Sequence, residues 1–202
     1  IAAVVWLYWR SFLKISVWRK VLTAFLPTAI IGFILYKIFK QYLIGNEVVV
    51  LWALLIGGLV LIVFEKNHKK KEENNEEIES ISYRQAFGIG VCQALAIVPG
   101  LSRSAATIVG GLALGLKRKT IIEFSFLLAV PTMLAASGWD LWKSADSFVA
   151  GDFSILAIGF IVSFLTALVA VKWLLAFVRN NSFIAFGIYR ILAGLAFWFF
   201  IV

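Results

Sequence analysis

The sequence predicts an all-α, polytopic integral membrane protein: an inverted-repeat helical bundle with a re-entrant, broken-helix hairpin. Three observations carry this. The 202 residues are 62% hydrophobic with a mean hydropathy of +0.95, well beyond a soluble domain. The net charge of +8 sits in short loops between apolar runs, which marks membrane topology and argues against a nucleic-acid partner. Finally, the apolar run 85–116 is interrupted by Pro99-Gly100-Leu101-Ser102-Arg103-Ser104-Ala105-Ala106-Thr107, which holds a breaker pair, an arginine and three hydroxyls.

Taken in order, residues 1–9 read as the tail of a membrane helix whose beginning lies upstream. Residue 1 is Ile, the sole methionine is Met133, and no charged leader precedes the apolar stretch. A basic loop (10–20) leads to an apolar span (21–36) containing Pro27. A polar turn (37–47) and a second span (48–64) follow. Residues 65–84, lysines first and glutamates after, read as a polar cytoplasmic loop or short surface helix. The two short arms 85–98 and 105–116 flank the break, with one half-helix ending at Pro99-Gly100 and the next beginning near Ser104. A span at 121–136 contains Pro131 and has Trp139 and Trp142 at its rim, where indoles prefer to lie. Residues 153–178 form a long, tilted span, and 183–202 the last one. The lone Cys92 excludes an internal disulfide, and His68, among lysines, reads as a solvated loop residue.

Residues 85–116 decide the topology. They are too many for one crossing and too few for two, each of which needs about 20 residues. If they enter and leave on one side, loops 10–20, 65–84, 117–119 and 179–182 share a face with 13 Lys or Arg. The opposite loops then carry only Lys37, Lys40 and Lys143. A single crossing would erase that asymmetry, so the hairpin is expected to be re-entrant and the basic face cytoplasmic. The chain then reads as one transmembrane domain, 1–202. Residues 1–64 are the remainder of a first repeat and 85–202 are the second, inverted repeat; a first hairpin is expected upstream of Ile1. Ile56-Gly57-Gly58-Leu59 echoes Leu192-Ala193-Gly194-Leu195 at matching places in the two halves.

The break has a chemical logic. A helix beginning near Ser104 points free N–H groups and a positive dipole end into the gap opened at Gly100, which suits a phosphate. Arg103 adds a planar fork of donors that can grip two phosphate oxygens. The competing reading is a kinked helix whose hydroxyls cap their own backbone while Arg103 snorkels. Ser102 and Ser104 flank Arg103 and could donate to a phosphate, cap the helix or attack phosphorus; Thr107 lies one turn on. Gly111 and Gly115 form a GxxxG pair suited to close packing. Arg190, two turns inside the last span, reads as a buried ion pair or a second phosphate contact. Gln93 is a candidate polar contact across helices. Glu123 is expected in the first turn of its helix, either for dipole reasons or as a catalytic carboxylate.

At these residues the chain resembles the undecaprenyl-diphosphate phosphatase family, the bacitracin-resistance proteins. Tyr83-Arg84-Gln85-Ala86-Phe87, Gln93-Ala94-Leu95-Ala96, the run 99–107, Glu123-Phe124-Ser125-Phe126-Leu127-Leu128-Ala129-Val130-Pro131 and Ile188-Tyr189-Arg190 carry the likeness. The resemblance implies a bacterial inner-membrane hydrolase that converts undecaprenyl diphosphate to the monophosphate and renews the lipid carrier for cell-wall synthesis. It implies two re-entrant hairpins meeting at the active site and a divalent cation, Mg or Ca. Ser102, Arg103 and Thr107 match its phosphate-binding positions, with Arg103 stabilising the transferring phosphoryl group. The metal ligands belong to a glutamate- and histidine-bearing motif expected before Ile1, so none is assigned in this chain. The expected partners are the polyprenyl diphosphate and the surrounding lipids, with a homodimer as a candidate assembly. A polyprenyl-phosphate flippase with the same anion grip is the rival reading.

Overall fold

The computed structural model describes residues 1–43, 45–68, 77–144 and 152–201, all helix and short connections. The lysine and glutamate run at 69–76 and most of the 140–152 loop lie outside the described residues. The stub forms α1 (Ala2–Leu7) and a single turn, α2 (Trp9–Phe12). Trp18 Nε1 donates to Phe12 O at 2.8 Å and ties that turn to α3 (Ile15–Tyr42). Much of the basic loop expected at 10–20 is therefore helical: Arg19 and Lys20 are good helix formers, and Lys20 is buried with its ammonium on Glu79 O. α4 (Glu47–Asn67) starts at an Asn46 cap, whose Oδ1 accepts from Val49 N at 3.3 Å.

Ser82 and Gln85 close a capping box on α5 (Tyr83–Ala94), and Gln85 Nε2 reaches on to Leu114 O at 3.2 Å. After α5 a 3₁₀ turn (Leu95–Ile97) leads to Gly100 at φ +89° and then to α6 (Arg103–Ala113). The first arm thus ends earlier than Pro99, because the residue before proline is held extended and the helix tightens ahead of it. Gly115 was expected to extend a packing stripe with Gly111. Instead, at φ +83°, it terminates α6 in a Schellman motif, Leu116 N donating to Gly111 O and Gly115 N to Leu112 O, both at 3.0 Å. Gly110 and Gly111 do pack: a methyl added there would strike Cys92 of α5 and Ile121 of α7 (Arg118–Lys143). α8 (Asp152–Asn180) and α9 (Ile184–Ile201) complete the chain.

Among the described residues, α4, α7, Ile15–Leu35 of α3 and Ser154–Val178 of α8 are long and apolar enough to cross a membrane. The protein is a multi-pass membrane protein. Apolar burial drives little helix pairing in lipid, so small residues that admit close backbones matter most. α4 and α9 show this. They run antiparallel, with Gly58 against Gly187 O, Gly194 against Leu55, and Trp52 edge-on to Trp198 at 5.6 Å.

α5 and α6 fold back on each other, as Gly88 beside Leu114 and Cys92 beside Gly110 require. α5 lies parallel to α3, with Gly90 pressed on Ala24 O and Ile97 opposite Gly32. The connections on the basic side meet at one end of the bundle. Glu79 holds Lys14 and the Lys20 ammonium, Arg118 binds Glu65, and Arg118 also reaches Asn181 O. Outside the spans, that hydrogen bond and the Glu79 charge hold the Lys14 ammonium above its ordinary pKa.

Candidate functional site

The hairpin places its turn and the start of α6 beside α4, α7 and α9. Ser102 is the N-cap, its Oγ accepting from Ala105 N at 3.3 Å and lying 3.1 Å from Ser104 Oγ. Arg103 is the first helical residue. Its Nη1 reaches Ser125 O at 3.5 Å, a long contact that aims the guanidinium across to α7. The fully buried Thr107 Oγ1 sits 3.1 and 3.0 Å from the carbonyls of Arg103 and Ser104 and 2.6 Å from Ser125 Oγ. This fastens the first turn of α6 to α7. The chain reaches the turn through Gly100, where a side chain would come within 2.7 Å of Val50 O. No residue but glycine combines that approach with a left-handed φ.

Arg190 enters from α9. Only 8% exposed, it donates from Nη2 to Ala53 O at 3.0 Å and to Gly100 O at 2.8 Å, and its Nε is buried without a partner. Arg103 and Arg190 line one cavity of about 350 Å³ with Ser102, Ser104, Ser125 and Tyr189. The remaining wall, including Leu61, Ile108, Phe126 and Phe186, is apolar. Neither arginine has a carboxylate partner among the described residues, where the ion pairs are Lys14–Glu79 and Arg118–Glu65. A buried guanidinium, Arg190, and a part-buried one, Arg103, beside a helix N-terminus and with no carboxylate partner among the described residues, form an arrangement suited to an anion.

The structure therefore brings Gly100, Ser102, Arg103, Ser104, Thr107 and Arg190 to one place, Thr107 behind the cavity wall and Gly100 at its hinge. It sets two other candidates apart. Gln93 is buried between α5 and α3, donating from Nε2 to Thr28 Oγ1 at 3.0 Å, while Thr28 Oγ1 donates to Gly90 O at 2.9 Å. That is a brace between parallel helices, and Gln93 does not line the cavity. Glu123 lies in the second turn of α7, not the first: the helix starts at Arg118, since Lys and Arg propagate it upstream. Glu123 too is absent from the cavity wall. Ser125 is the residue that sequence reasoning passed over; its signal was a hydroxyl in an otherwise apolar turn. A divalent cation does not fit the residues described. No group of three or more His, Cys, Asp or Glu is assembled among them, and the cavity presents donors rather than carboxylates.

Fold and site together define a polytopic α-helical membrane protein with a cavity lined by two arginines and three serines and otherwise apolar. The chain belongs to the family of the bacitracin resistance protein BacA, whose profile matches residues 1–196. It is 50% identical to an undecaprenyl-diphosphatase of Sulfurihydrogenibium over 98% of this chain and 78% of that protein. It is 48% identical to one from Aquifex aeolicus, over 98% and 77%. Against one from Thermus thermophilus the identity is 42%, over 92% and 70%.

Proposed function

We propose that this protein is a bacterial inner-membrane phosphatase that hydrolyses undecaprenyl diphosphate to undecaprenyl phosphate, returning the lipid carrier to cell-wall synthesis. One observation carries the reading from structure: Arg103 and Arg190 share a cavity with the N-terminus of α6, and among the described residues no carboxylate neutralises them. A diphosphate supplies the missing charge, and the apolar walls suit the prenyl chain beside it.

In phosphoryl transfer the attacking and leaving oxygens lie in line with phosphorus, and negative charge spreads over the equatorial oxygens. Arg103, without an ion-pair partner among the described residues, stabilises those oxygens and the bridging oxygen as its bond to the terminal phosphorus breaks. Ser102 and Ser104 hold the headgroup with hydroxyl and backbone N–H donors. Ser102 Oγ already accepts from Ala105 N, which favours its service as a donor to a phosphate oxygen. Arg190 offers its unpartnered Nε to the second phosphate. A divalent cation, if one takes part, needs ligands other than these residues.

The hairpin is read as re-entrant, with the basic end cytoplasmic. Its arms of 12 and 11 residues rise roughly 18 and 17 Å, short of the roughly 30 Å hydrocarbon core. Both arms also start and finish at the end where Lys14, Lys20 and Arg118 gather. Support for an inverted repeat comes from the α4–α9 seam, where Gly58 meets the Cβ of Arg190 and Gly194 meets the Cβ of Leu54. The echo between residues 56–59 and 192–195 falls on that pseudo-symmetric contact.

Phosphate release from undecaprenyl diphosphate by the full-length protein in detergent or lipid tests the function, with Arg103→Ala as the control. A flippase would move headgroups between leaflets and free no phosphate. The diphosphatase names of the relatives weigh against that rival.

A further inference from the structure

Adjacent glycines in α4 meet very different neighbours. A Cβ at Gly58 would lie 2.7 Å from Gly187 O and 2.8 Å from Ile191 Cγ1, and a backbone oxygen cannot step aside. That glycine sets the spacing of α4 and α9. A Cβ at Gly57 would instead lie 2.5 Å from Arg190 Nη2 and 3.1 Å from its Cζ, with no backbone atom among its nearest neighbours. The end of a long side chain can yield. The same Nη2 is the atom that donates to Ala53 O and to Gly100 O, the carbonyl of the hairpin turn. Gly100 stands two residues before the Ser102 cap and three before Arg103. A line of contacts therefore runs from an empty spot on α4, through one guanidinium, to the N-terminus of α6.

We infer that Gly57 is a positioning residue for the reaction. Its missing side chain fixes where the Arg190 guanidinium sits, and Arg190 in turn fixes the hairpin tip that carries Ser102 and Arg103. This rests on the reading that the tip binds the diphosphate. Gly57 touches no substrate and acts only through Arg190. A methyl at this position moves Nη2 off Gly100 O, and the tip is released from α9 without the seam being forced open. Misplacing catalytic donors by about 1 Å costs on the order of a hundredfold in rate.

The test is a double-mutant cycle in the full-length protein, reading phosphate release from undecaprenyl diphosphate and thermal midpoints in the same detergent. Gly57→Ala should lower kcat by about ten- to a hundredfold while KM changes less than about threefold. Its Tm should stay within about 2 °C of the parent. Gly58→Ala should lose Tm first, with activity falling in step with the folded fraction. Arg190→Lys should be impaired, and adding Gly57→Ala to it should cost nothing more, since the group that the methyl displaces is gone. The proposal is overturned if Gly57→Ala keeps parental kcat, if the two changes multiply independently, or if Gly57→Ala unfolds as Gly58→Ala does and Arg190→Lys does not rescue it. Failure of the underlying reading looks different: Arg103→Ala would then keep full activity, whatever Gly57→Ala does.

Discussion

Arg118 and the pair Arg103 and Arg190 are all drawn into the protein, and the fold treats them in opposite ways. Arg118 Nη2 meets Glu65 Oε1 at 2.6 Å, its guanidinium lies 4.7 Å from the Phe183 ring centre, and its Nη1 reaches Asn181 O at 3.5 Å. Its charge is cancelled where it enters, and the result is a clasp joining α4, α7 and the α8–α9 connection. Among the described residues, the hydrogen bonds of the Arg103 and Arg190 guanidiniums go to backbone carbonyls. A carbonyl satisfies a donor and leaves the charge standing. A neutralised cation holds helices together; an uncompensated one is reserved for a ligand that brings its own negative charge.

Breaking the two kinds of site should therefore give separable results. The largest effect is expected at the uncompensated end. Arg103→Ala should lower phosphate release by about a thousandfold with little change in Tm, and Arg103→Lys should recover only part of it, because a point charge cannot replace the fork. If Arg103→Ala unfolded the protein instead, the two regions would not differ as described. Next comes the clasp. Glu65→Gln leaves Arg118 charged and unmatched in a site where both side chains are largely buried, and should cost about 3 kcal/mol. This would appear as a lowered Tm, while kcat at a permissive temperature stays near the parental value.

Thr107→Val sharpens the boundary between the regions. It removes the bond to Ser125 Oγ and should cost about 1 kcal/mol with a several-fold loss of kcat, since the first turn of α6 loses its anchor. The smallest effect is expected at the exposed Lys14–Glu79 pair. Glu79 raises the Lys14 pKa, so the pair's contribution is complete below the unfolded lysine value of about 10.4 and disappears as pH rises through the higher folded value. Lys14→Met should lie slightly below the parent in Tm at neutral pH, and the two should converge in alkali. A pair this exposed is worth little, and phosphate release should not change.

Much of this architecture was readable in the chain. Alternating apolar runs and basic loops gave the spans, and Pro99-Gly100 gave the break, because a missing N–H and a left-handed turn cannot be hidden in a helix. Arg103 stood out because a charge in an apolar run needs a reason. Element ends were less legible. Helix-forming Arg19, Lys20 and Lys119 carry α3 and α7 past the apolar boundary, which is what displaced Glu123 from the first turn. Gln93, read as a polar contact across helices, and Thr107, read as a phosphate-site position, are both polar residues in apolar arms. Only the packing of α5 on α3 and of α6 on α7 separates a brace from a site residue.

From residue order alone it follows that this chain lives in a membrane, that one of its apolar runs is broken, and that the run carries a cation at the break. Those properties follow from the composition and order of residues along a single strand of chain. The tertiary structure alone decided which cations are cancelled and which stay open, which glycine spaces two helices and which makes room for one guanidinium. These depend on atoms far apart in sequence, such as Gly57, Gly100 and Arg190, arriving within a few ångströms of each other. No local pattern encodes such a meeting, because its energy exists only once the helices have packed.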